Sequence, residues 1–423
     1  MRKGESIFKN LDWSVVLLYL ILVIAGWFNI FASVYDPESA SNIFNLSINS
    51  GKQLFFMGTS IVLIAIILLL DFRIYESFAP LFYAIFILLL IGVLIFGTTI
   101  NGARAWFDFG AFRLQPAEFT KLATALFLAK YVSQNNVKLN EFKPQVISLI
   151  IAFLPVGFIM LQPDLGSALV FFSFFIPLFR EGFSPVYFIV GLSLAVIGVL
   201  TLLLSPVTVM IVITVAGLVW ILLTSKSIKN IMLTGLMVLM SIGFAAGFNH
   251  VFYNLLPGYQ RDRILVIFDS NAVDPLGAGY NLNQSKIAIG SGGFAGKGFL
   301  EGTQTKYGYV PEQSTDFIFS TLAEEHGWLG CLVIIALFIT LLMRITAIAE
   351  RQKFKFARFY GYAVASILFF HFTINIAMTI GLFPVVGIPL PFFSYGGSSL
   401  WSFTVMLFVL LKMDMHRTQV LTR

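Results

Sequence analysis

From Trp13 to Ser33 the chain reads WSVVLLYLILVIAGWFNIFAS without one charged residue, and apolar runs of this kind recur almost to its end. A helix needs roughly 20 such residues to cross the hydrocarbon of a bilayer. Inside that hydrocarbon every backbone N–H and C=O must be satisfied within the protein, which helices achieve segment by segment. Twelve spans are predicted, near 13–33, 53–70, 79–98, 116–132, 144–161, 165–179, 186–204, 206–224, 229–248, 317–343, 358–381 and 397–412. Composition agrees: of 423 residues 58% are hydrophobic and 11% charged, against about 25% charged in soluble proteins. The expected fold is all-α, a polytopic integral membrane helical bundle over 1–423. The first run is too long for the h-region of a cleaved leader, and no A-x-A-like site follows it. Cys331 is the lone cysteine and excludes an intramolecular disulfide.

Twelve spans put both termini on one side. Lys and Arg concentrate in cytoplasmic segments. With the termini inside, the inner segments collect Arg2, Lys3, Lys9, Lys226 and Arg423 and the run Arg344, Arg351, Lys353, Lys355 and Arg358. The net charge of +6 is therefore a topology signal and gives no reason to expect nucleic acid.

One outer loop, about 249–316, is far longer than the rest. It holds Arg261, Asp262, Arg263, Asp269, Asp274, Lys286, Lys297, Glu301, Lys306 and Glu312. Loops beyond about 15 residues are usually functional or disordered, and this one is too apolar for disorder. Two pieces, RILVIFD (263–269) and YNLNQSKIAIG (280–290), are apolar enough to lie on the bilayer or re-enter the protein.

Soluble-enzyme signatures are missing from the sequence. GSGGFAGKG (290–298) suggests a phosphate loop, but that pattern needs Gly at 291 and Ser or Thr at 298, where Ser291 and Gly298 stand. The histidines His250, His326, His371 and His416 have no metal-ligand spacing.

Ionisable residues at membrane depth are expensive and mark function more often than not. Glu118 and Lys121 share a helix face three residues apart: either they neutralise each other, or they line a wet cavity with Lys121 open to an anion. Arg104 precedes them at the same outer edge. Asp164 follows a proline and suits a helix N-cap. Glu324 and Glu325 lie just inside the tenth span, with Glu324 turned toward the Asp316 side or else paired with loop cations. In VPEQSTDFIF (310–319), Glu312 and Asp316 stand where the long loop meets that span. Ser314 or Thr315 would cap the helix and an acid would suit its dipole. The other reading makes the acid a general base toward a hydroxyl, with loop cations holding a pyrophosphate leaving group.

Five stretches name a family: NGARAWFDFGAFRLQPAEFTKL (101–122), QPDLGSAL (162–169), DPLGAGYNLNQSKIAIGSGGFAGKGFLEGTQ (274–304), PEQSTDFIFSTLAEEHG (311–327) and FPVVGIPLPFFSYGGSS (383–399). Together they resemble the SEDS family (shape, elongation, division and sporulation) over nearly the whole chain, and QSKIAIGSGG with GKG and GTQ is closer to the elongation type than to the division type. The resemblance implies a peptidoglycan glycosyltransferase that polymerises lipid II outside the cytoplasmic membrane of a bacterium. Its implied partners are a class B penicillin-binding protein and other membrane proteins of the elongation complex. Asp316 matches the essential acid of the P-E-x-x-T-D motif and would be the base in an inverting transfer. Lys121 or Arg104 is implied for the diphosphate, and Glu118, Asp164, Arg261, Arg263, Gln284, Lys286, Lys297 and Glu312 for the substrate's surroundings. No resident cofactor is implied, and a bridging divalent cation, magnesium or manganese, stays open. Two departures stand out. Members usually have about ten spans, so 186–228 reads as an extra pair. Ser314 and Gly308 replace a common histidine and a division-type acid. The same residues leave room for a lipid II flippase, or for a scaffold that activates a transpeptidase.

Overall fold

The computed structural model describes residues 10–35, 44–100, 102–110, 112–224, 227–256, 258–268 and 279–417. Arg2, Lys3, Lys9, Lys226, Asp269, Asp274 and Arg423 lie outside them. Two compact units emerge, Met1–Phe183 with Gln284–Arg423, and Ser184–Asn283.

The first unit begins with α1 (Trp13–Ser33), α2 (Asn49–Leu69), the short α3 (Arg73–Ser77) and α4 (Ala79–Phe96). Three strands follow, β1 (Thr98–Ile100), β2 (Ala103–Asp108) and β3 (Arg113–Leu114), then α5 (Pro116–Val132) and α6 (Phe142–Met160). The short α7 (Leu165–Val170) and α8 (Phe175–Arg180) are joined by one 3-10 turn. The second unit holds α9 (Pro185–Leu203), α10 (Pro206–Leu223), α11 (Ile228–His250) and α12 (Gly258–Phe268). Beyond α13 (Tyr280–Ser291) and α14 (Thr303–Lys306), the first unit closes with α15 (Ile318–Glu350), α16 (Lys355–Thr379) and α17 (Gly397–Met415).

Among the described residues ten helices are long and apolar enough to cross a membrane. The other two predicted spans fall on α5, which has 17 residues, and on the broken run Leu165–Arg180. Of the spanning helices α17 is the most enclosed, with 83% of its apolar window buried. Its Leu400, Phe403, Leu407 and Leu411 belong to the core.

The all-helical expectation omits one feature, a small antiparallel sheet in the order β1-β2-β3. Gly102 (φ 85) and Gly110 (φ 77) supply the left-handed turn positions of its two hairpins. At the second turn Asp108 accepts from Gly110 N and from Arg113. These bonds, the Gly110 amide first, hold its carboxyl below the usual value.

At the opposite end of α1, Asp12 caps the helix by accepting from Val15 N. It also pairs with Arg344 and Arg351, each at 3.0 Å. Arg351 pairs in turn with Asp414, so the N-terminal end of α1 and the C-terminal end of α17 meet.

In the second unit, Ser184 and Ser205 accept from Val186 N and Thr208 N ahead of prolines in the first turn. The predicted pair at 186–228 falls on α9 and α10. α11 continues through a π turn as a span over Ile228–Leu255, so the predicted loop starts later than 249. Rings of Phe244, Phe248 and Phe252 stack on successive turns along that span.

Candidate functional site

Asp316 sits in the turn before α15. The expectation that Ser314 or Thr315 caps this helix is not met: the N-cap position is Phe317, and no side chain there makes a capping bond. Ser314 Oγ accepts from Asn49 Nδ2 at 3.0 Å, and Thr315 Oγ1 turns back to Glu312. The turn is pinned on all sides. Asn375 Nδ2 of α16 donates to Asp316 O at 2.9 Å, and Asn29 Nδ2 of α1 donates to Ile318 O at 3.0 Å. Tyr395 N donates to Ser314 O, and Ser394 Oγ to Thr315 O. Asp316 is half-buried and Glu312 exposed. These bonds fix the backbone that carries the Asp316 carboxylate.

The partner of this turn is the irregular segment 380–396, between α16 and α17. Irregular backbone in such a protein survives only when other protein covers it. Here Phe392 and Phe393 are buried, and Phe392 packs edge-on against Tyr19 and Phe403. Those two aromatics therefore serve as core. A side chain at Gly26 would run into Phe393 Cα at 2.6 Å, and one at Gly166 into Val386 O at 2.3 Å. The segment is thus clasped by α1 and α7. Gly387 (φ 72) faces Asp316 Oδ2, 3.2 Å from where a Cβ would stand.

Glu118 and Lys121 do form a pair. Lys121 Nζ lies 2.8 Å from Glu118 Oε1 and 2.8 Å from His371 Nε2, over the ring of Phe403. Lys121 is 0% exposed, and in this arrangement its ammonium bonds Glu118 and meets His371. Ser402 Oγ donates to Glu118 O.

Glu324 has a structural task. Its carboxylate accepts from Lys297 Nζ at 2.7 Å and from Gln304 N and Thr305 N at the start of α14. The pairing with a loop cation is thus the alternative realised. The GSGGFAGKG stretch explains itself at the same place. α15 breaks at Gly327 (φ 62). Lys297 N and Gly298 N donate to the Glu324 and Glu325 carbonyls, and Trp328 N donates to Gly293 O. Side chains at Gly292 and Gly296 would strike Ala323 O at 2.0 Å and Glu325 O at 2.1 Å. Those glycines are needed for close approach of backbone to backbone.

The remaining predicted residues lie on several different elements. Arg104 donates through Nε to Gly97 O and through a terminal nitrogen to Ile95 O, both at 2.8 Å, which closes the end of α4. Asp164 is the expected N-cap of α7, accepting from Ser167 N, and also takes a bond from Gln115 Nε2 at 2.8 Å. Gln284 and Lys286 lie on α13, the first half-buried and the second exposed. Arg261 and Arg263 lie on α12 of the second unit, Arg261 beside Asp262 at 3.7 Å. Arg104, Lys121 and Lys297 each make local bonds to protein groups. Among the described residues, no three His, Cys, Asp or Glu side chains gather as a metal set.

His371, Asn375 and Gly387 were not anticipated. The readable signal was a histidine and an asparagine four residues apart inside an apolar run, hence on one helix face.

Against known proteins, a family profile described as cell cycle protein (FtsW, RodA, SpoVE) matches residues 12–211 and 206–419. The chain is 35% identical to peptidoglycan glycosyltransferase MrdB of Escherichia coli (strain K12), over 96% of this chain and 94% of that one. It is 33% identical to peptidoglycan glycosyltransferase RodA of Treponema pallidum (strain Nichols), over 97% and 99%. A solved structure described as "Structural coordination of polymerization and crosslinking by a peptidoglycan synthase complex" contains a chain that superposes with TM-score 0.71 at 28% identity, covering 97% of this chain and 99% of that one.

Proposed function

Since this chain belongs to the FtsW, RodA and SpoVE family of cell cycle proteins and is a multi-pass membrane peptidoglycan glycosyltransferase, we propose that Asp316 is its general base and lipid II its substrate. The acceptor's sugar hydroxyl oxygen attacks the anomeric carbon of a donor carried on undecaprenyl pyrophosphate. Asp316 takes the hydroxyl proton as the new glycosidic bond forms, and the pyrophosphate departs from the opposite face with inversion. A positioned carboxylate contributes typically 10²–10⁴-fold to such a step.

One observation carries this reading. Asp316 is the half-buried acid whose backbone oxygen is bonded by Asn375 and whose carboxylate lies beside Gly387, where a Cβ would stand 3.2 Å from Oδ2. Glu324 is fully buried and occupied by α14. Glu118 is buried against Lys121. For the leaving diphosphate, the exposed Lys286 replaces Lys121 and Arg104 as the cation of choice in the first unit.

The distribution of Lys and Arg supports cytoplasmic termini, with Asp316 on the outer side of the cytoplasmic membrane. The relative seen in a peptidoglycan synthase complex supports a transpeptidase partner, a class B penicillin-binding protein. The helices at 186–228 are proposed as an addition to a ten-span core; the two family matches meet within α10.

Glycan-strand formation from purified lipid II tests the assignment. Asp316→Asn abolishes strands while the protein keeps its melting temperature. Undiminished strands from Asp316→Asn would refute the assignment.

A further inference from the structure

His371 and Asn375 stand one helical turn apart on the same face of α16, and they grip consecutive carbonyls of the segment facing Asp316. Asn375 Nδ2 donates to Ile388 O at 2.7 Å, and His371 Nδ1 reaches Pro389 O at 3.2 Å. Each has a second partner: Asn375 binds Asp316 O, and His371 Nε2 meets Lys121 Nζ. A carbonyl only accepts and an ammonium only donates, so the ring carries its proton on Nδ1 and offers the Nε2 lone pair to Lys121.

We propose that His371 is a positioning residue for glycosyl transfer: it braces the 386–389 backbone between the buried Lys121–Glu118 pair and Asp316. This rests on the reading of Asp316 as base.

The bracing is direct. Gly387 lies against Asp316 Oδ2, and Val386 O lies against Gly166 of α7. The backbone between them cannot shift without moving the wall that the carboxylate touches. His371 is 1% exposed, and Glu118 and Lys121 are buried beside it. Loss of the imidazole leaves Pro389 O without its donor and Lys121 with Glu118 alone. A misplacement of about 1 Å at a reacting group can cost about 10²-fold in rate.

The test uses the purified full-length protein and its lipid-linked disaccharide diphosphate, measuring kcat, KM and melting temperature for each variant. His371→Leu removes both polar contacts at similar bulk. His371→Gln keeps them, because its amide N–H can donate to Pro389 O while its amide oxygen accepts from Lys121. The expected result is a fall of about 10²-fold in kcat for His371→Leu with KM within about twofold, and recovery to within about fivefold of wild type in His371→Gln. Lys121→Met combined with His371→Leu is expected to be no slower than the slower single variant, because the two act as one unit. Three results would each overturn the proposal: wild-type kcat in His371→Leu, a loss confined to KM, or a loss that His371→Gln does not restore. Asp316→Asn run alongside separates the two levels. If it stays active, the base assignment fails; if it is dead while His371→Leu is fully active, only the role of His371 fails.

Discussion

Gly387 and Asp316 face each other so closely that a methyl group at position 387 would stand 3.2 Å from Asp316 Oδ2. Gly387 also has φ 72, a conformation costing a residue with a side chain roughly 1–2 kcal/mol. Gly387→Ala therefore combines backbone strain with pressure on the carboxylate. Strand synthesis is expected to drop at least about tenfold, with melting lowered only modestly. Normal synthesis would show that the carboxylate tolerates displacement.

The buried Glu118–Lys121 pair predicts an asymmetry in stability. Lys121→Met leaves the Glu118 carboxylate buried without its cation and is expected to destabilise the protein by about 3–5 kcal/mol. Adding Glu118→Gln removes the stranded charge and is expected to recover much of that loss. Melting in detergent of the single and double variants measures both.

The glycines of 290–298 separate by position. Gly292→Ala drives a methyl into Ala323 O, whereas nothing lies within 4 Å of a side chain at Gly290. Gly292→Ala is expected to cost about 1–3 kcal/mol and to open the 292–305 loop to limited proteolysis. Gly290→Ala is expected to leave both readouts near wild type.

At the far end of the bundle, burial raises the Asp12 carboxyl. Hydrogen bonds from Ser14, Arg344 and Arg351 outweigh that effect and hold it at about 2, below the ordinary 3.8. A depressed carboxylate stabilises the fold above its unfolded value, and that contribution fades as pH falls from about 4 toward 2. The melting difference between wild type and Asp12→Asn should therefore be constant near neutrality and shrink over that acid window. A difference that grew there would contradict the charge network.

Much of the architecture was legible because the feature that specifies it, an uninterrupted apolar run, is local. α1, α2, α4 and α17 need only their own residues to be recognised. The sheet at 98–114 was not legible, because three short strands leave no periodicity longer than a turn. The site was half legible. The capping role of Asp164 and the Glu118–Lys121 pairing follow from sequence spacing and helix-end chemistry, whereas Asp316 was picked out by its match to a family motif. That Lys121 also meets His371, and that Lys297 is the cation paired with Glu324, does not follow from spacing, since those partners on α16 and α15 are distant in sequence. The burial of Phe392 and Phe393 was not legible for the same reason: it depends on Gly26 and Gly166, far along the chain.

The central claim is that Asp316 moves the proton and is not merely part of a binding surface. Its most direct test measures lipid II binding and single-turnover strand formation on the same Asp316→Asn preparation. The account predicts affinity within a few-fold of wild type and turnover lowered by about 10²–10⁴-fold. Turnover close to wild type, or a loss explained wholly by weaker binding, would contradict it.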